Sequence, residues 1–259
     1  YGFYFIPLIS KKAITIKEFH ASGYFSNLSL KQNNSILKKI INKISVYFES
    51  KYKYLVVLTH DEINYHEPRN TIVIPNGISK ISKTKADLDN KRVISAGRIA
   101  PVKGFENLID AWQNVHREFP NWKLDIFGDG NLHYIETLNQ RIDSLNLSST
   151  ITLNKSTETL QKEILISSIY VMSSKTECFP MVLLEAMSCG VPVVSFDCPN
   201  GPRNIISHNK DGILIDNGNN IALGNGILSL IKDTEKRKEM GHNAQTNVAK
   251  FSQDKIMLH

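Results

Sequence analysis

The sequence predicts an α/β fold in which helices wind doubly around parallel sheets. Three observations predict it. Compact apolar runs alternate with segments of helical period, Gly, Pro and Asn punctuate the changes of period, and a polar, lysine-rich stretch from Ser79 to Asn90 separates two such blocks. A parallel strand covered on both faces reads as an unbroken apolar run. Tyr54-Leu-Val-Val-Leu-Thr59 and Val191-Pro-Val-Val194 have that character.

In the first block, Lys12 to Phe19 alternates around Ile14 and Ile16 and is predicted as a strand, with His20 at its exit. From Ser35 to Tyr52, apolar residues recur at Ile36, Leu37, Ile40, Ile41, Ile44, Tyr47 and Phe48. Lys38, Lys39 and Lys43 are interleaved with them, the pattern of an amphipathic helix. Tyr54 to Thr59 is the next strand, His60 to Asn64 a capped helical start, and Thr71 to Ile78 a short strand ending in the turn Pro75-Asn-Gly77.

The second block alternates without interruption. Strands are predicted at Arg92 to Gly97, Lys123 to Gly128, Ser149 to Leu153, Ile169 to Ser173, Val191 to Phe196 and Gly212 to Asp216. Helices are predicted at Gly104 to Glu118, Leu132 to Leu145, Leu160 to Ile166, Met181 to Cys189, Pro202 to Ile206 and Asn220 to Lys232, with a helical tail from Arg237 to Leu258. Two Rossmann-like, doubly wound domains account for both blocks. The expected division is 1–78 for the C-terminal part of a first domain, 79–90 for a linker, 91–240 for a second domain, and 241–259 for a C-terminal helix able to cross back to the first.

At 259 residues, with 41% hydrophobic and 22% charged residues, the chain has the composition of a globular protein. No run approaches the roughly 18 apolar residues of a membrane span, so a cytoplasmic location is expected. The net charge of +6 fits attraction to phosphates or to an anionic membrane surface, and the basic amphipathic helix leaves room for peripheral contact with the inner face of the membrane. Cys178, Cys189 and Cys198 lack the paired spacing of a zinc site and are expected as free thiols. The start, Tyr1-Gly-Phe-Tyr-Phe5, has neither an initiator Met nor a signal peptide and reads as the interior of a longer chain.

Chemistry concentrates in Thr176-Glu-Cys-Phe-Pro-Met-Val-Leu-Leu-Glu185, where two carboxylates bracket a helix start. Pro180 suits the beginning of a helix, and Gly190 suits the left-handed residue that ends one. The free N–H groups at such a start favour a phosphate, and a neighbouring carboxylate is suited to accept from sugar hydroxyls. Read from the residues alone, an ordinary αβ unit with a capping Glu has the same pattern.

The loop Gly97-Arg-Ile-Ala-Pro-Val-Lys-Gly104 leaves a strand and opens a helix with two cations, Arg98 and Lys103. A guanidinium fork and a compact ammonium together neutralise a diphosphate, although basic residues after a strand are common on surfaces. The loop lacks the Walker pattern, and Gly128-Asp-Gly130 is too short for the dinucleotide fingerprint. His20, at a strand exit, has either a structural role or one in contacting substrate.

Taken together, Gly97-Arg-x4-Lys-Gly104, Phe127-Gly-Asp-Gly130 and Glu177-x7-Glu185 resemble the motifs of the retaining family-4 glycosyltransferases of the GT-B fold. The likeness runs from about Thr71 to the C-terminus and more loosely through Glu18-Phe-His20 and Pro75-Asn-Gly-Ile78. It implies a GT-B protein whose N-terminal Rossmann-like domain is incomplete in this chain. It also implies transfer of a sugar, with retained configuration, from a nucleotide diphosphate sugar (UDP-sugar expected) to a saccharide or lipid-linked acceptor in capsule, lipopolysaccharide or exopolysaccharide synthesis. By the same resemblance, no cofactor, no metal and no nucleic acid are expected.

By the same resemblance, Arg98 and Lys103 contact the donor diphosphate, Glu185 the ribose, and Glu177 with the backbone of Cys178, Phe179, Pro180, Met181 and Val182 the sugar and phosphate. Gly97, Gly128 and Gly130 belong to the donor site, and His20 faces the transferred sugar, which makes His20, Arg98, Lys103 and Glu177 the catalytic set. The chain departs from the family at Leu153-Asn-Lys-Ser156, where a base-contacting Gly is common, and at Asn204, where a Glu is common. A non-catalytic nucleotide-sugar or partner-binding module of the same fold is the alternative.

Overall fold

Parallel strands form two sheets within the residues that the computed structural model describes, 13–20, 22–23, 36–66, 70–79 and 81–257. The smaller sheet has the order β1-β2-β3, from β1 (Ile16–Glu18), β2 (Tyr54–Val57) and β3 (Thr71–Val73), with helix α1 (Ile36–Glu49) between β1 and β2 in sequence. Ile16 pairs with Tyr54 and Leu55 with Thr71, so all three strands end on the same side. Leu55 and Val57 are fully buried, as the apolar run predicts.

The larger sheet comprises β4 (Arg92–Ala96), β5 (Lys123–Phe127), β6 (Ile151–Asn154), β7 (Ile169–Met172), β8 (Val193–Asp197) and β9 (Gly212–Asp216), in the order β6-β5-β4-β7-β8-β9. The chain starts in the middle at β4, winds outward to β6, then returns to β7 and winds outward the other way. The reversal lies between β4 and β7, and in open sheets the loops beyond the strand ends at that point splay apart into a crevice.

Helices α2 (Phe105–Glu118) and α6 (Asn220–Lys232) cover one face, burying Leu108, Trp112, Leu223 and Ile227 against Leu124, Ile126 and Val194. On the other face α5 (Met181–Ser188) and α7 (Thr234–Val248) bury Leu183, Leu184, Met187, Ala244 and Val248 against Ile94, Tyr170 and Val193. Each large side chain withdrawn from water stabilises this sandwich by roughly 1.5–3 kcal/mol. Helices α3 (Leu132–Ser144) and α4 (Leu160–Leu165) complete the crossovers. Asn131, Asn219 and Asp233 cap α3, α6 and α7 by accepting from the third N–H beyond each.

Several predicted elements come out differently. The first strand is confined to Ile16–Glu18, and Lys12 and Ser35 lie outside the described residues. His60–Tyr65 is a 3-10 helix, and Thr59 precedes it without a side-chain cap bond. Pro202–Asn204 is one 3-10 turn in place of a helix to Ile206. Five residues hold too few α-type bonds to offset nucleation, and Ile205 and Ile206 are instead drawn into the core. The tail is helical from Thr234 to Val248, then breaks into the turn Ala249–Phe251 and the short α8 (Gln253–Ile256), with Leu258 outside the described residues.

Residues 81–90 hold no helix or strand and are tied to the larger body, Ala86 donating to the Cys189 carbonyl at 2.8 Å and Arg237 to the Leu88 carbonyl at 2.9 Å. After α7 the chain returns to the other side. The Ile78 amide donates to the Phe251 carbonyl at 2.8 Å and the Gln253 amide to the Ile78 carbonyl at 3.1 Å. Among the described residues no helix is long and apolar enough to cross a membrane.

Candidate active site

Two loops face each other at the reversal point, one after β4 and one after β7. Past Ile94 and Tyr170 the ladder between these strands stops, and the buried Tyr170 hydroxyl takes its place. It donates to the Ala96 carbonyl at 3.0 Å and accepts from the Ala96 N–H at 3.1 Å, which fixes the chain immediately before Gly97 and Arg98. Burial pushes this phenol well above its usual range, so it remains a donor.

Beyond Ala96 the two glycines of Phe127-Gly-Asp-Gly130 have a mechanical use. A Cβ on Gly128 would overlap the Gly97 carbonyl and one on Gly130 the Ile99 carbonyl, so their absence lets the two loops run side by side. The Ile99 amide donates to Asp129 O at 2.8 Å across that contact. Arg98 is left exposed, and no described residue forms an ion pair with it.

Pro101–Lys103 is a single 3-10 turn, after which Gly104 takes a left-handed conformation (φ 62°, ψ 32°) and opens α2. A side chain at Gly104 would meet the Ser173 carbonyl, and the Lys103 carbonyl accepts from Ser173 Oγ at 3.1 Å. Turned back by this stitching, Lys103 Nζ lies 2.6 Å from Glu177 Oε1, and Ser174 Oγ donates to the same oxygen at 2.6 Å. Glu177 Oε2 accepts from none of the described residues. The sequence reading gave the two residues separate contacts and missed their pairing and Ser174, because the ion pair joins positions far apart in the chain and leaves no local signal.

Pro180 (φ −74°, ψ 98°) precedes α5 as its cap and is not its first helical residue. Gly190 ends the unit at φ 75°, as predicted. In the loop before α5, the side chains of Cys178 and Phe179 are buried. Phe179 packs edge-on against Phe251 at 5.6 Å, and burial beside the Glu62 carboxylate pushes the Cys178 thiol up to about 12. What Cys178 and Phe179 present there is therefore backbone.

Glu185, Met181 and Ser188 of α5 line a cavity of about 620 Å³, closed by Thr157, Gln161, Gly77, Ile78 and Gln253. Burial raises the Glu185 carboxyl above its usual range, and no described side chain pairs with it. Glu177 is not among the residues that line this cavity. His20 lies at the end of β1, 3.1 Å from Glu18 Oε2, on a second cavity of about 200 Å³ formed by the ends of β2 and β3 and by α8. Gly77 and Gln253 line both cavities, so the His20 and Glu185 sides are neighbours across a shared wall.

The Glycosyl transferases group 1 profile matches residues 78–247. The chain belongs to that family. It is 29% identical over 218 residues to an uncharacterized glycosyltransferase of Haemophilus influenzae, covering 79% of this chain and 61% of that protein. It is 29% identical over 229 residues to the amylovoran biosynthesis glycosyltransferase AmsD of Erwinia amylovora, covering 84% and 63%. This chain thus spans under two thirds of the length of these relatives. Among solved structures, a variant of S. aureus TarM in complex with Fondaparinux, alpha-GlcNAc-glycerol and UDP superposes with a TM-score of 0.77 at 28% identity, covering 84% of this chain and 45% of that one. Anabaena HepE in complex with UDP-glucose gives 0.80 at 22% identity, covering 93% and 69%. The architecture is GT-B.

Proposed function

We propose that the protein is a retaining, metal-independent glycosyltransferase that moves a sugar from a UDP-sugar to a saccharide or lipid-linked acceptor of a bacterial surface polysaccharide. The observation that carries this is the convergence at the β4–β7 crevice of an unpaired Arg98, Lys103, the N-terminus of α5 and a cavity holding Glu185, next to a second cavity holding His20. The UDP in the TarM and HepE complexes and the polysaccharide role of AmsD favour a nucleotide-sugar donor and a glycan product.

In this reading the diphosphate sits against Arg98, Lys103 and the free N–H groups of Cys178 to Val182, which stabilise the negative charge that develops as the glycosidic bond to the leaving group breaks. Glu185 accepts from the ribose hydroxyls. Glu177, with one oxygen held by Lys103 and Ser174, offers Oε2 to a donor-sugar hydroxyl. His20 faces the transferred sugar from the other side. Rate acceleration comes from holding donor and acceptor together and from leaving-group stabilisation, with no covalent nucleophile on the protein. The exposed Ile40, Ile41 and Ile44 of α1, beside Lys43, are the surface for peripheral contact with an anionic membrane.

Calorimetry and transfer assays on the full-length protein test the site. Arg98→Ala and Glu185→Ala are each expected to weaken nucleotide-sugar binding by about 10–100-fold, the loss of one or two charge-assisted or ribose hydrogen bonds. Unchanged binding and transfer in both variants would remove the assignment, binding without transfer to any acceptor would favour a binding module, and an inverted anomeric centre in the product would remove retention.

A further inference from the structure

The crevice is spanned by a buried polar junction that none of the donor contacts uses. Glu62, 1% exposed, sits on the 3-10 helix that follows β2. Its Oε1 accepts from Asn200 Nδ2 at 2.6 Å, and its Oε2 accepts from the Gly23 N–H at 2.9 Å. The Asn200 amide also reaches Ser22 Oγ at 3.1 Å. Ser22 lies two residues beyond His20 and leads into Gly23, which is helical, while Asn200 follows β8 in the larger body.

The Asn200 end of the junction bears directly on Glu177. Asn200 is buried and held at φ 75°, a conformation that Asn tolerates better than most residues. The next residue, Gly201, lies so close to the Glu177 loop that a Cβ there would stand 2.8 Å from Glu177 Cβ and 2.8 Å from Pro180 Cδ. A parallel tie runs from Asn204 Nδ2 to Asp61 Oδ2 at 2.9 Å. The contacts therefore run from the segment after His20 through Glu62 to Asn200 and Gly201, and end at Glu177.

We propose that Glu62 and Asn200 are positioning residues that set the separation of the segment after His20 from the Glu177 loop across the crevice. Neither touches the donor. Each acts through the segment that it holds, and a carboxylate facing an amide supplies the two acceptors and the donor that the junction needs. The consequence for catalysis rests on the glycosyltransferase reading above; the mechanical tie does not.

A swap of the pair tests the proposal. Glu62→Gln leaves one acceptor where two N–H groups need one each, and Asn200→Asp sets two carboxylates against each other. The double variant restores the bonds among positions 62, 200, 22 and 23 with the roles reversed: the new amide donates to the new carboxylate and still accepts from Gly23, and Ser22 donates instead of accepting. With UDP as the binding probe and UDP-glucose, UDP-galactose and UDP-N-acetylglucosamine as donors, each single variant of the full-length protein is expected to lose about 10–100-fold in kcat. UDP affinity should stay within about 3-fold of wild type, and the swap should recover most of kcat. Hydrogen exchange is read in parallel on Gly23 and on Thr176 to Val182. Both segments should loosen in each single variant and recover in the swap.

Single variants with wild-type kcat, or a swap no better than the worse single variant, would overturn the positioning role. Loosening confined to one side of the junction would overturn the tie itself. A wild-type protein that transfers no sugar would overturn the glycosyltransferase reading and the catalytic role together, and the exchange arm would then decide the tie alone.

Discussion

Tyr170→Phe removes one oxygen atom from the centre of the molecule, and the structure fixes what that oxygen does. The hydroxyl satisfies both the N–H and the carbonyl of Ala96 at the point where β4 and β7 part, in a site with no exposed surface. Phenylalanine fills the same space apart from that oxygen, so the packing term is small. The loss is two buried backbone groups without partners, each costing about 1–3 kcal/mol. With partial relaxation of the strand end, a total of roughly 2–4 kcal/mol is expected. For a body of this size 1 kcal/mol moves Tm by about 2–4 °C, which gives a fall of roughly 5–15 °C by calorimetry or circular dichroism. Arg98 lies two residues further on, so UDP affinity should fall as well, by a factor that Arg98→Ala does not exceed. A Tm within about 2 °C of wild type would refute the reasoning, because it would mean that the Ala96 groups find other partners or were never dependent on the hydroxyl.

Other perturbations have equally definite outcomes. Gly104→Ala forces a side chain into a left-handed position and against the Ser173 carbonyl, so chemical denaturation should show a loss of more than about 2 kcal/mol, the conformational part alone being 1–2 kcal/mol. Glu185→Gln should stabilise the unliganded protein at neutral pH. Burial raises the Glu185 carboxyl, so the unfolded chain ionises first as pH rises and the folded state bears the penalty above that range; the advantage of the variant should vanish below the ordinary carboxylate pKa of about 4.3. A variant advantage that persists unchanged at low pH would contradict that account. Ile41→Glu should abolish co-sedimentation with phosphatidylglycerol vesicles, and equal pelleting of the two proteins would exclude α1 as the contact.

The succession of strands and helices was open to sequence reading because its cause is local. β-branched runs covered on both faces, and breakers such as Gly190 at φ 75°, mark where strands and helices end whatever surrounds them. Glu185 and Arg98 could likewise be picked out, since a helix start and a strand exit place them at the crevice without further information. What was hidden depends on distant parts of the chain coming together. Lys103 could be read as a cation but not as the partner of Glu177, and Glu62 looked like an ordinary acidic residue in a helical first turn. Gly128 and Gly130 were legible as glycines near a ligand, yet their backbone-to-backbone use requires the neighbouring loop to be in view. Pro202 was read as the start of a helix to Ile206, but the burial of Ile205 and Ile206 left a single 3-10 turn.

The wall that Gly77 and Gln253 share has a consequence for engineering. A graft that took residues 79–257 as a self-contained donor cassette would import α8 along with it, and α8 lines the cavity of His20 as well as that of Glu185. The Gln253 backbone approaches Gly77 so closely that a Cβ there would lie 3.1 Å from the Gln253 Cα, so the imported α8 would have to fit a recipient with no side chain at that point. A chimera made to change donor preference should therefore cut after Val248 and leave residues 249–257 native to the half that contains His20. The polypeptide crosses the boundary twice, and the seam has to be drawn in both places.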